Sequence, residues 1–152
     1  MTAVGGKVHH VNGSELPARL EEFLKANNID RVVVDEVGAR YVTNTSLVRI
    51  PDPTVRCGVT GTLCGIAESG SVVLVGGPGS PLTASLLPEI HVAILNASGI
   101  LPTVADALRK PEIRAAAAGA IITGPSRTAD IEMTLTIGVH GPGEIHVFLI
   151  DD

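Results

Sequence analysis

The sequence predicts an α/β fold: a mostly parallel sheet flanked by helices. Three observations carry that expectation. Short β-branched or aliphatic runs of four to six residues recur along the chain and alternate with short helical patterns. Hydrophobic residues make up 45% of the 152 residues and charged residues 18%, the balance of a globular chain. Aromatics are only 2%. Val, Ile, Leu and Ala must therefore fill the core, which suits parallel strands buried beneath helices.

The elements follow in order. Ser14 is placed as an N-cap, and Leu16, Leu20, Phe23 and Leu24 recur at helical spacing behind it. Pro17 is tolerated in the first turn, and Asn27 and Asn28 suit the exit. Residues 30–35 hold a Val-Val-Val run that fits a buried strand. Residues 41–50 hold a short strand or helix, ended by Pro51 and Pro53. A strand is expected at 57–60, then a short helical turn through Ile66 and Ala67, then a strand at 71–75. Residues 76–81 are a Gly/Pro loop, 82–87 one or two helical turns, and 90–95 a strand. Thr103 caps a helix over 104–110, with Asp106 at capping-box distance. Pro111 opens another helix over 112–118, which Gly119 ends. Strands at 120–123 and 144–150 complete the chain, and residues 1–152 are expected to form a single domain.

Composition also narrows the function. The formal net charge of −5 disfavours phosphate-backbone contact, and the scarcity of rings disfavours single-stranded nucleic acid. Cys57 and Cys64 are too few for a disulfide scaffold, an iron–sulfur cluster or a Cys-rich zinc site. No metal or cofactor is expected. Residues 69–88 are uncharged, but Gly and Pro interrupt them, so they are no membrane span. With no secretory pattern at the start, the expected compartment is the cytoplasm.

Three stretches could carry chemistry. The first is VTGTLCGIAESGSVVL, residues 59–74. Small residues after a strand let backbone amides approach an anion, so Thr60, Gly61, Ser69 and Gly70 are candidate ligand contacts. The stretch has neither a P-loop nor a dinucleotide fingerprint. Glu68 is either a nucleophile or base at a tight turn, or a carboxylate that locks that turn through backbone hydrogen bonds. The second is GPSRTADIE, residues 124–132. Gly124, Ser126, Arg127, Thr128 and Asp130 are candidate ligand contacts there, because a guanidinium among hydroxyls and turn amides suits an anion. The competing reading has Ser126 or Thr128 capping a helix and Arg127 paired with Asp130 or Glu132. The third is GVHGPGEIHVFL, residues 138–149, with His140 in a turn as a candidate acid–base group and His146 in the final strand. His9 and His10 point opposite ways in an extended chain.

Together, TG..CGIAESGSVVL, LLPEIHVAIL and GPSRTADIEMTLTIGVHGPGEIHVFL resemble the LUD domain, the lactate-utilisation protein C family, over residues 59–149. The resemblance implies a fold of the phosphosugar-isomerase and CoA-transferase type. It implies a cytoplasmic part in oxidising L-lactate to pyruvate, beside two partner proteins that carry the iron–sulfur clusters. Glu68-Ser69-Gly70 is also similar to the Glu-x-Gly turn on which CoA-transferases place a nucleophile. Two features depart from the family: a short helical N-terminal region, and Leu63 where relatives often place an acidic or polar residue. Two functions stand open: a cluster-free subunit or accessory protein of lactate utilisation, or a free-standing enzyme acting on a small anionic metabolite such as a sugar phosphate, a carboxylate or an acyl-CoA.

Overall fold

The computed structural model describes residues 1–48, 52, 54–78, 82–129, 135–137 and 140–151. Its centre is a six-stranded, wholly parallel sheet. The strands are β1 (Lys7–Val11), β2 (Arg31–Val34), β3 (Ser46–Val48), β4 (Cys57–Gly61), β7 (Ile90–Asn96) and β12 (Glu144–Ile150), in the order β1-β12-β7-β4-β2-β3. A second, four-stranded sheet runs β8-β5-β6-β9, with β5 (Cys64–Ile66), β6 (Ser71–Gly76), β8 (Ile100–Leu101) and β9 (Ala118–Ile122). It is mixed: β5 pairs parallel with β8, whereas β6 runs antiparallel to both β5 and β9. β10 (Arg127–Ala129) and β11 (Leu135–Ile137) form a separate antiparallel pair.

The strand pattern explains how the layers stack. Along β12, His146, Phe148 and Ile150 point to one face of the parallel sheet, and Ile145, Val147 and Leu149 to the other. On the first face lies α1 (Leu16–Ala26), whose Leu16, Leu20 and Leu24 are fully buried against Val32, Val34, Val59 and Val92. On the second face, Ala93, Leu95, Ile145 and Val147 meet Val72 and Leu74 of the smaller sheet. The outer face of that sheet, through Cys64, Ile66 and Val73, packs on Ala107 of α3 (Val104–Leu108) and Ile113 of α4 (Pro111–Ala115). The single turn α2 (Thr83–Leu86) lies on β4 and β7.

Four sequence expectations change. Ser14 is not the N-cap: α1 starts at Leu16 behind Glu15, and the Asn12 carbonyl accepts from the amides of Glu15 and Leu16. Residues 64–66 are a strand rather than a helical turn, because the ladders to β6 and β8 claim their backbone groups. The helix expected over 112–118 stops at Ala115, since Ala118 already pairs with Gly76. β1 was not foreseen at all; it pairs with β12, nearly the whole chain away. Thr103 caps α3 as expected. Its Oγ1 accepts from the Asp106 amide at 3.1 Å and donates to Asp106 Oδ2 at 2.7 Å.

Candidate functional site

In an open parallel sheet, ligands favour the point where successive connections leave on opposite sides. Here that point lies between β2, which leads to the edge strand β3, and β4, from which the chain continues toward β7. Asp35 sits at the carboxyl end of β2 and is buried. Its carboxylate accepts from the Gly38 amide at 2.7 Å and the Gly61 amide at 3.0 Å. Burial raises its pKa, and these amide hydrogen bonds offset only part of the rise. The backbone amide of the candidate Gly61 is therefore already engaged, and Asp35, not singled out from sequence, is its partner.

Thr60, one residue earlier, turns inward. It is buried, and its Oγ1 lies 2.9 Å from Nε2 of His91, a side chain with no exposed surface. Burial alone drives the His91 pKa down to about 3, so the imidazole is neutral.

The other candidates gather at a second place, where several turns meet. Ser69 Oγ, Ser71 Oγ and Thr123 Oγ1 form a chain of hydroxyls at 2.7 and 2.6 Å, which ties the turn at 67–70 to the one that begins at Thr123. Gly70 and Gly124 both adopt left-handed backbone, with φ of 62° and 80°. At Gly124 a side chain would also collide with the Val4 carbonyl, so that turn demands glycine. Arg127 donates through Nη2 to the same Val4 carbonyl at 2.8 Å. The Ser126 amide donates to the Pro142 carbonyl at 2.8 Å, which joins the second and third signature stretches. His140 is exposed in the turn before β12. Residues 127–129 form β10, so neither Ser126 nor Thr128 caps a helix; the Thr128 backbone pairs with Thr136. Asp130 and Glu132 lie outside the described residues. Beneath these turns, between the two sheets, is a cavity of about 240 Å³ with a largely apolar wall that includes Val8, Ala67, Leu95 and Val147, and with Ser71 at its edge.

Glu68 lies in the same turn, but its carboxylate is engaged by α3. Its Oε1 accepts from the Val104 amide at 2.7 Å, and its own amide donates to the Pro102 carbonyl at 3.1 Å. The carboxylate thus caps the first turn of α3, where amides lack intrahelical partners and negative charge is favoured. Among the described residues no hydrogen bond joins Glu68 to His140. Glu68→Gln is expected to lower stability by about 1 kcal/mol, typical of a lost cap. Wild type incubated with an acyl-CoA is expected to gain no mass at Glu68. A hydroxylamine-sensitive adduct there would make Glu68 a nucleophile.

The sequence also concealed a cluster between α1 and the sheet edge. His9 Nε2 and His146 Nδ1 are 3.0 Å apart with the rings stacked, Phe23 and Phe148 enclose them, and His146 Nε2 reaches Glu144 Oε2 at 3.2 Å. Burial lowers both imidazole pKa values; mutual repulsion and Lys7 add to the effect on His9, while Glu144 works against it on His146. Cys57 and Cys64 are buried free thiols. Burial pushes Cys57 up to about 12 and raises Cys64, so both stay protonated. Among the described residues no group of three His, Cys, Asp or Glu side chains is placed to hold a metal ion. Nor is any helix there long and apolar enough to cross a membrane.

A family model described as the LUD domain matches residues 49–150. Lactate utilization protein C of Halalkalibacterium halodurans is 39% identical over 93 residues, covering 57% of this chain and 40% of its own. The protein of that name from Bacillus licheniformis is 41% identical over 104 residues, covering 62% and 42%. Uncharacterized protein YkgG of Escherichia coli is 41% identical over 103 residues, covering 64% and 45%. These matches span less than half of each relative's length. A crystal structure of a DUF162 family protein from Deinococcus radiodurans superposes with a TM-score of 0.77 at 21% identity, over 99% of this chain and 91% of that one, which establishes the shared fold.

Proposed function

The chain belongs to the LUD domain family, and from that membership we propose that it serves L-lactate utilisation in the cytoplasm, as a cluster-free subunit or accessory protein beside iron–sulfur-bearing partners. The observation that carries this over a CoA-transferase-like role is the position of Glu68. A covalent catalyst needs a carboxylate free to attack, whereas this one is bonded to the first amide of α3. Relatives at 39–41% identity named lactate utilization protein C support the pathway. Residues 1–152 act in this reading as one domain. The proposed place for a small anionic ligand is the turn at Arg127, whose neighbours in sequence are Ser126 and Thr128.

Co-expression tests the reading. A tagged chain produced with the lactate-utilisation partners of the same organism is expected to recover them in fixed proportion, with the visible iron–sulfur absorption belonging to the partners. Recovery of the chain alone, under anaerobic conditions that keep the partners folded, would reject it.

A further inference from the structure

Protein interiors pack as densely as organic crystals, and a void several waters wide is costly to keep unless something occupies it. The cavity between the two sheets, about 240 Å³, is such a void. Nothing in the proposed function uses it, since neither Arg127 nor Glu68 lines it.

Its walls define what it takes. The floor is Ile66, Val72, Leu95 and Val147, contributed by both sheets and all buried. At the mouth Ala67 and Ile100 are exposed. Met1, packed against the same cluster, is an unbranched thioether that can yield to an incoming group. Among the described residues no charged side chain lines the cavity. A carboxylate would therefore lose its hydration without compensation, whereas an uncharged group loses far less. An apolar cavity of about 150 Å³ stays dry and takes benzene, so this one has room for a body of about six to eight carbons.

One polar side chain breaks the apolar wall. Ser71 is buried and lines the cavity. It also stands in the middle of the hydroxyl chain, 2.7 Å from Ser69 Oγ and 2.6 Å from Thr123 Oγ1. Each hydroxyl carries one proton, so the two links leave one proton of the chain unused. When Ser69 and Thr123 both donate to Ser71, the unused proton is that of Ser71, the member of the chain on the cavity wall. An acceptor in the cavity selects that arrangement, because it is otherwise buried without a donor.

We propose that the cavity between the sheets binds a small uncharged molecule with an apolar body and a single oxygen acceptor, a medium-chain ketone or alcohol, whose oxygen accepts from Ser71 Oγ. The site does not depend on the subunit reading, which complex formation tests separately.

The test uses carbon-13 methyl NMR of the full chain, with xenon, 2-heptanone, hexanoate, L-lactate and pyruvate as probes. Xenon and 2-heptanone are expected to shift the methyls of Ile66, Val72, Leu95 and Val147 to saturation. Val32 and Val34, on the other face of the parallel sheet, are expected to stay in place. Hexanoate is expected to bind at least about tenfold more weakly than the ketone, and L-lactate and pyruvate to leave the floor methyls unmoved. Ser71→Ala is expected to weaken 2-heptanone by about tenfold and to leave xenon unchanged. Val8→Phe, from a half-buried position on the cavity wall, is expected to fill the space and abolish both responses. Should Val8→Phe fail to fold, the Ser71→Ala comparison decides alone. Floor methyls that neither xenon nor 2-heptanone moves overturn the site. Hexanoate, L-lactate or pyruvate acting as strongly as 2-heptanone overturns the ligand class. Equal ketone affinity in wild type and Ser71→Ala overturns the role of Ser71.

Discussion

Between pH 7.5 and pH 5 the chain is expected to lose stability steeply, and His91→Phe is expected to remove a large part of that loss. A histidine whose folded pKa lies below its unfolded value leaves more protons on the unfolded chain at intermediate pH. Its contribution is complete above the unfolded value near 6.5 and is lost as pH falls toward the folded value. For His91, held at about 3, the full effect is on the order of 5 kcal/mol, with about 2 kcal/mol already gone at pH 5. His9 and His146 move in the same direction, with Lys7, Arg19 and Glu144 as the charges acting on them. Carboxylates with lowered pKa values, Glu21, Asp52, Asp106 and Glu144, lose their contribution only below their ordinary range near 4. Asp35, whose pKa burial raises, acts in the opposite sense and is common to both proteins, so the difference between wild type and His91→Phe across the window from 6.5 to 5 reports on His91. Urea unfolding of both proteins at the two pH values measures the effect. Equal losses in wild type and variant would mean that His91 is solvated.

Gly58→Ala is expected to destabilise the chain by about 3 kcal/mol or more, because overpacking here meets backbone rather than a side chain that can move. A Cβ at Gly58 would overlap the carbonyl oxygen of Ala84 and lie 3.1 Å from Pro88 Cγ. That contact is how α2 comes down on β4 and closes over His91. The melting temperature is expected to fall by roughly 6–12 °C. Gly77→Ala, where nothing lies within 4 Å, is the control and should stay within about 0.5 kcal/mol of wild type. Comparable melting of both variants would place α2 elsewhere.

Local signals made the parallel sheet legible. The Val32–Val34 run, the Ile90–Leu95 run and the Glu144–Ile150 alternation each form strands at or near the expected bounds. The same holds for the Thr103 cap, whose chemistry is contained within four residues. What stayed hidden depends on partners distant in sequence. β1, with two adjacent histidines, has no apolar signature of its own and exists because β12 accepts it. Ala115–Ala118 favours helix by propensity, yet β6 draws the last of these residues into a ladder. At the candidate sites, Glu68 was legible as either nucleophile or lock, and geometry supplies the bond that separates the two. His91 was invisible because it occupies one position of an otherwise apolar strand, and only the depth of the second sheet and α2 reveals a polar group with an unused nitrogen. Asp35 looked like the end of a strand until Gly38 and Gly61 were seen to converge on it.

In the proposed role this LUD domain serves lactate oxidation beside its partners and leaves the redox step to them. The most direct measurement is L-lactate oxidation with an artificial electron acceptor, by the purified iron–sulfur partners with and without the chain, and by the chain alone. The chain alone is expected to be inactive, and the partners to reach full rate only when it is added. Turnover of L-lactate by the chain alone, or a full rate from the partners without it, would contradict the account.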